Sequence, residues 1–213
     1  MENYKNKYLK YKIKYLNLKR QLGGDKINIG VYIGRFQPIH VGHLQIIKEG
    51  IKNEDKFLII VGSIDKKNAK NPFTFEERKE FILGALTEDE KKKITILGLR
   101  DSTEEDNKAD PIWWYNKVKE MILTLKEEGK EYNVYLYGSN KDTLTQEYLN
   151  LLEEHSGVTG TKLVSPASVL MDGREVNINA TDIREKINKD KKTEEDIKYL
   201  KTVLPDNLKS LFT

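Results

Sequence analysis

His40 and His43 are the side chains in this chain most suited to chemistry. Three residues apart, they share one face of a helix's first turn. Gly42 between them lets a ligand come close to the backbone. Upstream, residues 27–33 form an apolar run containing Gly30, and the run breaks at Gly34. Leu44, Ile46, Ile47 and Ile51 then recur at helical spacing. Strand, glycine turn and helix is the layout in which free N–H groups at a helix start hold phosphate. Two imidazoles at that positively polarised end, with Arg35 just before them, make an anion clamp. The plainer alternative is a surface helix with incidental histidines, yet these are two of only three in the chain.

The elements that must position this pair alternate between β and α. The apolar run 57–62 reads as a buried parallel strand, joined to 27–33 by a helix over 41–52 in a right-handed βαβ unit. A loop with Lys70, Asn71 and Pro72 leads to Thr74 and Glu77, a capping box opening a helix over 74–86. A third strand, 94–99, runs into Arg100-Asp101 and a polar loop up to Pro111. A helix over 112–128 follows, beginning with Trp113 and Trp114. Strand 134–138, a helix over 143–154 ending near His155, and a short strand 162–164 complete the pattern. Thr181 reads as the N-cap of a further helix, with Arg184 in its first turn. Thr193 caps another, and Pro205 opens a last short one. The fold expected is α/β, a doubly wound parallel sheet with ligands at the carboxyl ends of its strands.

Bulk properties exclude several classes. The chain has 213 residues, enough for one α/β domain over 25–213 behind a basic helical leader, 1–24. It contains no run of the roughly 20 apolar residues needed for a membrane span, and its charged start is unlike a signal peptide. Without cysteine there is no disulfide or thiolate metal site. A soluble, cytoplasmic protein is expected. The net charge of +3 misleads, because residues 1–24 carry +6 and the remainder −3. The body is therefore not a nucleic-acid binder by charge.

In the leader, Tyr4, Tyr8, Tyr11, Tyr15, Leu18 and Leu22 form a heptad-like stripe ending at Gly23-Gly24. It reads as a helical extension that could help build a homo-oligomer or dock to an acidic surface, with a solvated tail as the alternative. Its lysine- and tyrosine-rich composition resembles leaders on proteins of large DNA viruses, which would place the chain in a host cytoplasm.

The segment GRFQPIHVGH resembles the G-R-F-Q-P-x-H-x-G-H wording of the H-x-G-H nucleotidyltransferases. That wording is similar to the archaeal-type and bacterial bifunctional-type nicotinamide-nucleotide adenylyltransferases. GSIDKKNAKNPFTFEER resembles the family's second signature, with Lys70 where Arg is usual. INATDIR, over 178–184, resembles I-S-x-T-x-[IV]-R, with Asn179 in place of serine. The resemblance covers about 27–190 and implies a Rossmann-like nucleotidyltransferase fold.

It also implies a site. Ile33, Gly34, Arg35, Phe36, Gln37 and Gly42 would surround His40 and His43 at the phosphates, with Gly62, Ser63, Lys70 and Asn71 from the second signature. Asp101 follows the third strand, and Asp106-Asn107 with Trp113 or Trp114 would line a nicotinamide pocket. Gly138, Asn140, Lys141 and Asp142 would meet the adenylate, and Asn179, Thr181 and Arg184 the β and γ phosphates. The implied reaction is ATP plus nicotinamide mononucleotide (NMN) giving NAD and pyrophosphate. Mg²⁺ is carried by ATP, and no protein metal ligand is expected. The bifunctional relatives carry an added Nudix domain, and its R-E-x-x-E-E cluster does not occur here. The alternatives are transfer to nicotinate mononucleotide or phosphopantetheine, and a nucleotide-binding regulator that has lost turnover.

Overall fold

The computed structural model describes residues 11, 26–139, 146–165, 169–176 and 178–213. The leader, apart from Tyr11, lies outside them, as do Asn140, Lys141 and Asp142. Five parallel strands, β1 (Ile27–Gly34), β2 (Lys56–Val61), β3 (Ile94–Gly98), β4 (Tyr132–Ser139) and β5 (Gly160–Val164), pair in the order β3-β2-β1-β4-β5. The chain builds outward from β1 through β2 to β3, then crosses to β4 on the other side. Between β1 and β4 lies the switch point, where the strand order leaves a crevice above the carboxyl ends.

Alternation along the strands makes two cores. Phe57, Ile59 and Val61 of β2 face one side with Tyr32, while Leu58 and Ile60 face the other with Ile29 and Val31. The first side is covered by α1 (Val41–Asn53), α2 (Phe75–Gly84) and the C-terminal helices α8 (Glu194–Val203) and α9 (Asp206–Phe212). The second is covered by α5 (Trp113–Leu123) and α6 (Gln146–Ser156). With both faces covered, β1 and β2 lose the polar alternation of a half-exposed sheet.

Close approach of α1 to the sheet depends on glycine. The Phe57 ring fills the space over Gly50, where a Cβ would come within 1.9 Å of its Cε2. Gly50→Ala is expected to cost about 3 kcal/mol through overpacking, read as a lowered urea midpoint. An unchanged midpoint would show that Phe57 moves aside freely.

The structure departs from expectation in four places. Two short helices were not expected: α3 (Glu88–Lys91) lies in a stretch given no element, and α4 (Glu104–Ala109) in one read as loop. Each is opened by a capping box, at Thr87 with Glu90 and at Thr103 with Asp106, not by apolar periodicity. The helix expected over 112–128 stops at Leu123, where the Thr124 hydroxyl donates to the Met121 carbonyl and tight turns follow. A small antiparallel hairpin, β6 (Val169–Met171) and β7 (Arg174–Val176), precedes α7 (Ala180–Ile187). Its Asp172-Gly173 turn was not read from the sequence.

Candidate active site at the sheet switch point

His40 is itself the N-cap of α1. Its extended backbone lets the ring fold over the helix start, where Nδ1 accepts the His43 N–H at 3.4 Å. The proton of His40 therefore belongs on Nε2. The two imidazoles stack with centroids 3.7 Å apart and planes 19° from parallel. Gly42 allows this arrangement, since a Cβ there would lie 3.2 Å from the His40 ring. Behind them, Phe36 meets His43 edge-on at 5.0 Å and Tyr32 packs at 6.2 Å. Nδ1 of His43 is buried with no hydrogen-bond partner among the described residues.

These surroundings decide the charge. Burial lowers the pKa of His40 to about 4. His43 lies well below the ordinary value through burial first and repulsion from His40 second. The pair is neutral at pH 7, so the anion clamp expected from the sequence would address its ligand through N–H donors. Folding also becomes linked to pH. The unfolded chain binds these protons more readily, so stability is greatest above about 6.5 and falls as pH drops toward 4. For His40, the loss between pH 7 and 5 is on the order of 1–2 kcal/mol. Denaturant unfolding at both pH values should show a smaller loss in His40→Gln than in wild type. Equal losses would mean the ring is not held neutral by burial.

Charge comes from elsewhere. Arg184 reaches back from α7 to donate to the Gln37 carbonyl (Nη1, 2.9 Å) and the Thr181 hydroxyl (Nη2, 3.0 Å). Burial lowers its pKa, and repulsion from Arg35 lowers it further. The cap of α7 is Asn179, whose Oδ1 accepts the Thr181 N–H at 2.8 Å, and not Thr181 as expected. Asn179 thus takes up the capping role, and Thr181 is left to orient Arg184. Asp196, at the start of α8, accepts from Lys186 (3.0 Å) and Lys189 (2.8 Å), which docks α7 in place.

Beside Arg35 opens a polar recess of about 370 Å³ lined by Arg35, Ser63, Lys66, Asn68, Lys70, Asn71 and Asp101. Asp101 accepts from Ser63 Oγ at 2.8 Å and pairs with Lys66. Its burial favours the neutral form, but Lys66 and Ser63 outweigh that and hold the carboxyl below its usual range. Asn68 organises the loop, its Oδ1 accepting from the backbone N–H of Lys70 and of Asn71.

Several residues expected at the ligands make structural contacts here. Phe36 and Gln37 are buried. The Gln37 amide bonds both backbone groups of Phe73, donating at 2.9 Å and accepting at 3.0 Å, and so ties the histidine turn to the Lys70 loop. Gly34 and Gly62 join the strand ends, Gly62 N–H to Gly34 carbonyl at 2.9 Å. Ile33 packs on the second core, and Gly138 is buried near the end of β4. Asp106 is held by Arg100 through two bonds of 2.6 and 2.9 Å, and Asn107 is exposed on α4. Arg100 lies 4.3 Å over the Trp113 ring, supplying from within the chain the cation expected from a ligand. Trp113 and Trp114 pack on the second core, and neither lines the recess.

Sequence reading did not single out Lys66, which fits a solvated loop, nor Asn68 or Arg78. The latter is 1% exposed beneath the recess, and burial lowers its pKa. Its signal was available, since Arg78 and Ile82 lie four apart on the buried face of α2.

The sequence profile of the cytidylyltransferase-like family matches residues 31–186, from within β1 to the end of α7. The chain belongs to the cytidylyltransferase-like family. The match takes in the histidine turn, the recess and Arg184. A nicotinamide/nicotinic acid mononucleotide adenylyltransferase of Acinetobacter baylyi is 32% identical over 130 residues, 61% of this chain and 64% of that protein. A nicotinamide-nucleotide adenylyltransferase of Saccharolobus solfataricus is 47% identical over 58 residues, 27% of this chain and 34% of its own. Among solved structures, a bifunctional NMN adenylyltransferase/ADP ribose pyrophosphatase from Francisella tularensis superposes with a TM-score of 0.61 at 26% identity. That superposition covers 87% of this chain and 49% of the other. The matches thus span less than two thirds of each relative. The Rossmann-like parallel sheet of this cytidylyltransferase-like chain agrees with that neighbour. Among the described residues no helix is long and apolar enough to cross a membrane.

Proposed function

We propose that this chain transfers the adenylyl group of ATP to NMN, forming NAD and pyrophosphate. The observation that carries the reading is the stacked, neutral His40 and His43 at a helix start, with Arg184 bonded to the Gln37 carbonyl of the same turn and Arg35 of that turn lining the recess beside it. The names of the Acinetobacter, Saccharolobus and Francisella relatives support NMN as acceptor.

In this reaction a phosphate oxygen of NMN attacks the α-phosphorus of ATP. The bond from that phosphorus to the bridging oxygen breaks, and its electron pair leaves on pyrophosphate. Such a displacement needs alignment and charge neutralisation more than a protein nucleophile. His40 and His43 donate N–H bonds to the triphosphate. Arg184 keeps three of its five N–H donors for the leaving pyrophosphate, two being spent on Gln37 and Thr181. Arg35, Lys66 and Lys70 attract the NMN phosphate into the recess. The recess offers cationic, amide and hydroxyl donors beside one carboxylate, Asp101, already paired with Lys66, a set that suits phosphate oxygens better than a cation. Mg²⁺ is accordingly taken as travelling with ATP, where it offsets charge on the phosphates.

Purified protein with ATP, Mg²⁺ and NMN should form NAD, read by a coupled dehydrogenase. Nicotinate mononucleotide runs alongside, because the Acinetobacter relative is named for both acceptors. Silence with both, while ATP still binds, would favour a nucleotide-binding regulator.

A further inference from the structure

Two strand ends frame the recess, and both leave their strands through left-handed backbone at a residue other than glycine. Phe36 follows β1 with φ +49°, and Ser63 follows β2 with φ +51°. Such conformations are costly for side chains larger than glycine's hydrogen and persist only where surroundings impose them. Nη1 of Arg78 donates at 2.8 Å to the Arg35 carbonyl and at 2.8 Å to the Gly62 carbonyl. These belong to the peptide groups immediately before Phe36 and Ser63. Nε donates to the Thr74 carbonyl at 3.1 Å, which anchors the guanidinium to the start of α2. Among the described residues the bonded partners are all carbonyls, no anion pairs with the charge, and Nη2 is buried without a partner. A hydrocarbon of the same size would pack here at less cost in desolvation.

We infer that Arg78 is a positioning residue, pinning both left-handed turns so that Arg35 and Ser63 face the acceptor phosphate in the recess. Lysine cannot take its place, since one ammonium does not reproduce a planar fork spanning three carbonyls. The inference rests on the adenylyl-transfer reading for the identity of the phosphate, and its test separates the two. Glycine adopts φ +51° without strain. If Arg78 acts by holding the turn, Arg78→Lys should lower Tm markedly in wild type and by about half as much in a Ser63→Gly background. Equal shifts in the two backgrounds overturn the inference, whether or not the protein makes NAD. Arg78→Lys should also raise the KM for NMN about 10-fold while kcat changes far less. A fall in kcat alone counts against it, and silence of the wild type counts against the reaction instead. Should Arg78→Lys give no cooperative melt, nitrogen-selective NMR of the wild type decides. Slowly exchanging, separate guanidinium signals for Arg78 are expected, and a single fast-exchanging signal rejects the pinned geometry.

Discussion

His43→Ala lowers kcat for NAD formation by roughly 10²-fold or more, with the cooperative melt preserved. The size follows from removing a preorganised donor from a site where burial has already excluded water and held the ring neutral. Neutrality makes the prediction sharper than a simple loss. A charged clamp would be partly restored by lysine, whereas a neutral donor is better replaced by asparagine, which keeps an N–H near the ring's position. His43→Asn should therefore retain more activity than His43→Lys, and kcat/KM should show no ionisation near 6.5 attributable to the free pair. A lysine variant more active than the asparagine variant would mean that His43 acts as a cation.

Arg184→Ala should lower kcat by roughly 10²–10³-fold. The charge that Arg184 meets grows as the bond to pyrophosphate breaks, so KM for ATP should change much less than kcat. Arg184→Lys should recover little, because the guanidinium is aimed by its bonds to Gln37 and Thr181, which an ammonium cannot share. Removing Arg184 also leaves the Gln37 carbonyl without its donor, at a cost of about 1 kcal/mol in stability. Steady-state kinetics with a parallel melt separate the two effects. An equal rise in KM with kcat intact would assign Arg184 to ground-state binding of ATP.

How much of this was legible beforehand depended on the range of the interaction concerned. The Thr74 cap was readable because its partner, Glu77, is three residues away. The same logic named Thr181 as a cap and failed, because Asn179 is equally competent and the Thr181 hydroxyl is occupied by Arg184. Lys66 looked like any loop lysine until Asp101, from the end of another strand, came beside it. Trp113 was read as a stacking surface, but Arg100, from the turn after β3, covers one face of it. Gln37 was placed at the phosphate end of the histidine turn, and only the approach of Phe73, 36 residues on, shows it as a clasp between two loops.

Resemblance to a family signature over 178–184 grouped Arg184 with the histidines, while the sequence by itself determined the strands, the major helices and the position of His40 and His43 at a helix start. Those features rest on spacing, apolar periodicity and local caps, which operate within a few residues. Tertiary structure decided what state these groups are in. Phe36 and Tyr32 pack around His43 and help deny it a proton, Gln37 captures Arg184 across 147 residues of chain, and Arg78 is buried under two strand ends. Protonation and aim depend on the dielectric and donors supplied by neighbours in space, and no local pattern encodes which distant residues those will be.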